Sequence, residues 1–241
     1  MAGSCFGRGT VTAGWLGRNY LRYQTYQTAY GETRTLHLPD GSTVALNAHS
    51  ALRVPRFGFT GGKGPREVLL TGEAYFSVTH RPDSQPFIVK TAKGFEVLVH
   101  GTKFTVSTHA YRARVMLQTG KVQVNYGVGP AQKQLMLRPG DLVRLDQPAS
   151  PVVQHRVVAE PYVAWIRHRF LFDNMTLRDF GHLLSDTYGL KVVIPDPAVA
   201  RRTLAGSFRA DSADELLTTV SEIFDLQVAR EGSTVRLTQR D

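Results

Sequence analysis

The chain has 241 residues, 42% hydrophobic and 20% charged, with a single cysteine and a formal net charge of +9. That is enough apolar side chain for one large or two ordinary domains without a disulfide or metal staple, and Cys5 alone cannot form an internal disulfide. No stretch approaches the ~20 apolar residues of a membrane-spanning helix. Residues 1–30, with Arg8, Arg18 and Arg22 and no clean period, read as a poorly ordered lead-in. Gly3-Ser4-Cys5 has the outline of a lipoprotein cleavage box but lacks the apolar segment before it, so no lipid anchor is expected.

Residues 31–147 read as strand after strand. Thr35-Leu36-His37-Leu38 and Val44-Ala45-Leu46 flank Pro39-Asp40-Gly41, where Pro presets φ, Asp caps the turn and Gly takes the positive φ that follows. Short runs continue through Val68-Leu69-Leu70, Tyr75-Phe76-Ser77-Val78, Phe87-Ile88-Val89 and Phe95-Glu96-Val97-Leu98-Val99. Phe104-Thr105-Val106, Val115-Met116-Leu117, Val122-Gln123-Val124 and Leu135-Met136-Leu137 complete the series. Many alternate apolar with polar, and none offers a helical stripe, so an all-β domain is expected, as a sandwich or a short β-solenoid. Residues 148–164, with Pro148, Pro151 and Pro161, read as a linker.

From residue 165 to 241 the pattern becomes α+β. Thr176 and Asp179 form a near-capping box ahead of Leu177, Phe180, Leu183 and Leu184, and Gly189 ends that helix. Ser212 and Glu215 form a full capping box ahead of Leu216, Leu217, Val220, Ile223 and Phe224. A shift of 36 residues superposes the two: Phe172 on Phe208, Thr176 on Ser212, Phe180 on Leu216, Leu184 on Val220 and Leu190 on Leu226. The expected domain is therefore a duplicated β-α-β unit followed by a last strand, Thr234-Val235-Arg236-Leu237.

The charge raises the question of nucleic acid, but Arg34, Arg53, Arg56, Arg66, Lys90, Lys121, Arg138 and Arg144 are dispersed, as solvent-facing strand positions are. Only Arg167-His168-Arg169 and Arg201-Arg202 cluster. The eight histidines show no helical i, i+4 pair, and there is no Cys-x-x-Cys. Gly58-Phe59-Thr60-Gly61-Gly62-Lys63-Gly64 is one residue short of a phosphate loop and is followed by Pro65, so it reads as a hairpin connection. Glu67 and Glu73 could be imagined as a carboxylate pair, with Glu73 placed in a turn, but nothing in the spacing makes them converge. No catalytic, cofactor-binding or metal-ligating residues are assigned, and the chain is not expected to be an enzyme.

A resemblance then runs along the chain from residue 30. Gly31-Glu32, Leu38-Pro39-Asp40-Gly41-Ser42, Leu46-Asn47-Ala48, Ser50, Gly72-Glu73-Ala74-Tyr75-Phe76 and Pro86-Phe87 resemble the FecR domain. Gly101-Thr102, Gly120-Lys121-Val122 and Pro139-Gly140 continue it in order. Trp165, Phe172, Asn174, Leu177, Tyr188 and Gly206-Ser207-Phe208 resemble the C-terminal domain of Bacteroidetes-type members, which is similar to the small secretin/TonB N-terminal fold. Two departures stand out: Leu117-Gln118-Thr119-Gly120 replaces the usual Leu-Glu-Gly, and His100 precedes Gly101-Thr102 where the family prefers Leu.

The resemblance implies a single-pass inner-membrane regulator of an extracytoplasmic-function sigma factor. In that family the periplasmic part receives a signal from the signalling domain of a TonB-dependent receptor importing iron chelates or glycans. The cytoplasmic segment that meets the sigma factor, and the membrane helix, are expected to be missing from this chain. Docking is expected on strand edges beside Arg201, Arg202, Phe208 and Arg209, with Phe208 alternatively a core residue and Arg201-Arg202 alternatively a solvated turn. Two rivals stay open. One is a nucleic-acid binder, suggested by charge alone. The other is a glycan-binding β module using Tyr23, Tyr26 and Tyr30.

Overall fold

The structure is a computed structural model that describes residues 23–57, 59–60, 64–109, 113–127, 130, 132–145 and 151–240. The expectations placed on residues 1–22, Cys5 included, lie outside the described residues. Among the described residues the all-β region already includes Tyr23–Gln27, inside the stretch expected to be a lead-in, because these residues form strand β1 against Ala51–Pro55, strand β4.

Among the described residues the β region forms two seven-stranded sheets. The first runs β1, β4, β5 (Arg66–Thr71), β7 (Phe87–Thr91), β8 (Glu96–Val99), β11 (Val122–Tyr126) and β12 (Lys133–Leu137). The second runs β14 (Val152–Gln154), β13 (Leu142–Arg144), β10 (Arg114–Thr119), β9 (Lys103–Ser107), β6 (Glu73–Ser77), β3 (Thr43–Leu46) and β2 (Arg34–His37). Pairing is antiparallel except between β5 and β7. Alternation decides the faces: Val68, Leu70, Val89, Val97 and Val124 of one sheet meet Val44, Phe76, Phe104, Val106 and Val115 of the other in one apolar core. Phe76 stacks on Phe104 at 5.0 Å and meets Phe87 across the core at 6.1 Å. Of the two architectures left open, the sandwich is the one formed. β4, β13 and β14 are absent from the strand reading, and β14 lies within the supposed linker.

The Pro39-Asp40-Gly41 turn does more than join β2 to β3. Asp40 accepts from the backbone N and Oγ of Ser42, at 2.9 and 2.8 Å, and from Arg66 Nη1 at 2.6 Å. Arg66 does not face solvent as its place in the strand pattern suggests: both side chains of the ion pair are 0% exposed. Arg66 also donates to the carbonyls of Thr79 and Gln85 and lies 5.4 Å over the Phe87 ring.

The Leu117-Gln118-Thr119 departure is absorbed as a β-bulge. Leu117 faces Phe104 and Thr119 faces Lys103, so Gln118 is the extra residue, and Tyr75 OH donates to its Oε1. His100 is exposed and sits beside the Ser84 carbonyl.

In the C-terminal region, strand β15 (Arg169–Thr176) leads into helix α1 (Leu177–Tyr188) and strand β16 (Lys191–Val193). Helix α2 (Pro197–Arg201), absent from the sequence reading, precedes strand β17 (Thr203–Arg209), helix α3 (Ala213–Phe224) and strands β18 (Leu226–Glu231) and β19 (Thr234–Gln239). Thr176 Oγ1 accepts from Asp179 N, and Ser212 Oγ accepts from Glu215 N, so both helix starts follow the capping pattern. Both helices end in a left-handed residue, Gly189 and Asp225, again 36 apart. The strand–helix–strand order thus occurs twice, but neither unit closes on itself. The first strands pair with each other, β15 with β17, while β16 and β18 flank β19 in a separate sheet. Phe180, Leu184, Leu216, Val220, Leu226 and Leu237 form the shared core.

The two regions touch at the β1–β2 loop. Gly31 N donates to the Thr187 carbonyl at the end of α1, and Tyr30, stacked on His49 at 4.2 Å, lies against Gly189.

Two expectations follow from the buried charges. Removing one partner alone, Arg66→Met or Asp40→Ala, should cost about 3–5 kcal/mol in urea unfolding, because the other charge is stranded. The double variant should lose clearly less than the sum, and simple additivity would contradict the coupling. The Asp141 carboxyl is buried, which would raise its pKa, but the Arg138 N–H and His155 outweigh burial and hold it below the ordinary value. A lowered folded pKa contributes stability that is present above the unfolded value and lost as pH falls through the folded one. The stability gap between the wild-type chain and Asp141→Asn should therefore be full at neutral pH and shrink below pH of about 3.9. A gap independent of pH would contradict this assignment.

Candidate docking edge and the interdomain cleft

β17 pairs on one side only, with β15, through Arg169 with Arg209, Phe170 with Phe208 and Phe172 with Gly206. A two-residue excursion at Asp173 and Asn174 (φ 52°) faces Ala205 alone, so β15 bulges where β17 carries Gly206 at φ 132°. Ala205, Gly206 and Ser207 are exposed. The other edge of β17 has no strand partner among the described residues.

The four residues singled out from the sequence border this strand without forming one cluster. Arg201 closes α2 and Arg202 caps it, both just before β17, whereas Phe208 and Arg209 lie at its far end. Five extended residues, Thr203 to Ser207, separate the two groups by about 20 Å. Arg202 donates to the Phe224 carbonyl at the end of α3, where a cation complements the helix dipole. Phe208 packs on the core, with its ring 5.5 Å from Phe172, as the core alternative expects. Arg201 and Arg209 are exposed and have no acidic partner among the described residues. β18 offers a second unpaired edge, exposed from Gln227 to Glu231, but its Arg230 is engaged by Asp214.

A cleft of about 830 Å³ separates the sandwich from the C-terminal region. Its floor is the outer face of the second sheet. Glu73, read as a turn residue, is instead the first residue of β6 and is buried. It accepts from Asn47 Nδ2 at 2.8 Å and from Arg114 Nη2 at 3.0 Å. Glu67, paired with Lys90 on the first sheet, is nowhere near it, so the two carboxylates are not brought together. Arg114 lies 5.3 Å over the Tyr162 ring, and Trp165 donates to the Tyr162 carbonyl, which fixes the connecting segment over the sheet. Sequence reading missed this floor because strand pairing, not spacing, places β6, β9 and β10 side by side.

No group of three or more His, Cys, Asp or Glu residues is arranged to hold a metal ion among the described residues. Tyr23 and Tyr26 are covered by Arg53 and Arg34, and Tyr30 by His49, so the three rings do not form one bare platform. No described helix is long and apolar enough to cross a membrane.

The family model described as FecR protein matches residues 24–123, and the model described as FecR, C-terminal matches residues 169–237. Two crystal structures, each of a candidate anti-sigma factor from Parabacteroides distasonis ATCC 8503, share the architecture. The one at 2.50 Å resolution is 26% identical with a TM-score of 0.73, covering 91% of this chain and 100% of that chain. The one at 1.65 Å is 24% identical with the same TM-score, covering 90% and 100%. No curated protein matches the sequence. The chain belongs to the FecR family, with the FecR domain in its β sandwich and the FecR C-terminal domain in its α+β region.

Proposed function

We propose that this chain is the signal-receiving region of a periplasmic regulator that controls an extracytoplasmic-function sigma factor, and that it acts by binding rather than by catalysis. Membership of the FecR family and likeness to a candidate anti-sigma factor support the regulatory role. The partner is the signalling domain of a TonB-dependent outer-membrane receptor for an iron chelate or glycan. Control of the sigma factor then runs through the family's cytoplasmic segment and membrane helix, N-terminal to the sandwich.

The observation that carries the docking mode is the unpaired edge of β17. Its backbone groups can accept a partner strand, which supplies affinity, while flanking side chains supply selectivity. Arg201 and Arg209 stand at its two ends without acidic partners among the described residues, so an acidic strand fits best. Phe208 holds the strand in place from the core side.

The test is calorimetric titration of the chain with the signalling domain of the receptor encoded beside it. Arg201→Glu with Arg209→Glu should weaken binding about tenfold or more without changing the unfolding midpoint, since both side chains are exposed. Val228→Lys on the β18 edge should leave binding intact. The opposite pattern would move the docking site to β18. Absence of binding at micromolar concentration by the wild-type chain would overturn the receptor reading itself.

A further inference from the structure

The polar floor of the interdomain cleft is built from one rung of the second sheet. Arg144 pairs with Arg114, Arg114 with Ser107, and Ser107 with Glu73, so four neighbouring strands present these side chains on a common face. The opposite face of the same strands carries Val143, Val115, Val106 and Ala74 into the sandwich core. A row of four polar residues over an apolar core needs hydrogen-bond partners, and the protein supplies only some of them. Glu73 is satisfied by Arg114 and Asn47. Ser107 is 1% exposed, and its Oγ has no partner; the Arg114 Nε has none either. Both belong to residues lining the cleft. Arg144 and Arg156 also line it, exposed and without an acidic partner among the described residues.

Buried donors left without acceptors are uncommon, since each costs its desolvation. The missing partner here is an acceptor, and its charge is set by the surroundings. Glu73 is already neutralised by Arg114, so Arg144 adds uncompensated positive charge beside the orphaned donors. Of the acidic groups on the facing wall, Asp211 lies 3.5 Å from His168, Asp179 accepts from the Thr176 hydroxyl, and the exposed Asp173 accepts from the Asn174 amide at 3.3 Å. The cleft is within the ~300–1,000 Å³ range of small-molecule sites.

We propose that this cleft binds a small ligand bearing an oxyanion, carboxylate or phosphate, received by Arg114 and Arg144 on the sheet wall. Arg144 is exposed and Arg114 is 22% exposed at its side chain, so both guanidinium groups are open to an entering oxyanion. Charge-assisted bonds of this kind are the strong ones. The ligand would touch the sandwich on one side and β15 on the other, because Phe170, Phe172 and Met175 line the opposite wall. Binding would therefore bear on how the two domains are held together. This site is independent of the β17 edge and of any receptor.

The experiment is calorimetric titration of the full chain in low-salt chloride buffer with sodium succinate, inorganic phosphate and neutral succinamide. Saturable binding of succinate or phosphate, with none for succinamide, is expected. Succinate alone would identify a carboxylate ligand, and phosphate alone a phosphate ligand. Arg144→Ala should weaken that binding about tenfold. Because Arg144 is exposed, its variant should keep the wild-type unfolding midpoint in the absence of ligand. Ser107→Ala provides a second variant at the floor and should also weaken binding. No saturation up to millimolar concentration would overturn the proposal. So would binding that both variants retain, since that is a general charge effect.

Discussion

The sandwich depends on a charge placed where charge is costly. Arg66 begins β5 in the first sheet, and Asp40 sits in the hairpin turn of the second, so their 2.6 Å contact ties one sheet to the other inside the protein. Neither ion reaches solvent, and each would be strongly penalised alone. The penalty is met by a complete set of neighbours on the Asp40 side and by two carbonyls and a ring on the Arg66 side. Such a pair adds little over a well-packed apolar alternative, but it tolerates only one geometry. Pro39-Asp40-Gly41-Ser42 is thus a sheet-to-sheet anchor as well as a turn.

A second set of contacts carries that order to the C-terminal domain. Gly72 has φ of +90°, and a Cβ there would lie 2.3 Å from Ser50 Oγ, so only glycine allows the Asn47–Ser50 loop to come this close. Ser50 Oγ accepts from Glu73 N, and Asn47 binds the Glu73 carboxylate. The same loop holds Thr28, whose hydroxyl donates to the Asn47 carbonyl, and the His49 N–H donates to Ala29. Gly31 then reaches α1. The segments recognised as separate family motifs are therefore one connected assembly, running from Glu73 through the Asn47 loop to the end of α1.

What could be read from the sequence was whatever depends on neighbours in the chain. Helix caps at Thr176 and Ser212 and the apolar stripes behind them are local, and both were legible. So was the alternation that makes β5, β7, β8 and β11 strands with one buried face. What escaped depends on pairing between distant segments. β13 and β14 have only three residues each, too few to show a period; β13 pairs on the edge of β10, and β14 on the edge of β13. The repeat gives the strand–helix–strand order but not its pairing, and β15 pairs with β17, which begins 34 residues later, rather than with its own second strand. Arg66 looked like a surface residue because its partner is 26 positions away. The candidate docking strand was legible as a strand, but its unpaired edge was not. The rung from Arg144 to Glu73 was invisible for the same reason.

The unpaired edges themselves differ in how they are protected. On the sandwich, β14 is three residues long and β2 four, and short edges offer little to another strand. β12 opens on Lys133 with exposed Gln134, which discourages pairing by charge and hydration. β17 is longer, carries the small residues Ala205, Gly206 and Ser207 in its exposed middle, and has its cations at the two ends. A strand with small residues at its centre lets another backbone approach without side-chain conflict, and charge at the ends selects which backbone that is. Among these edges β17 is the least protected, and it lies on the small domain whose first strands have only each other. That contrast is what the proposed docking at β17 requires.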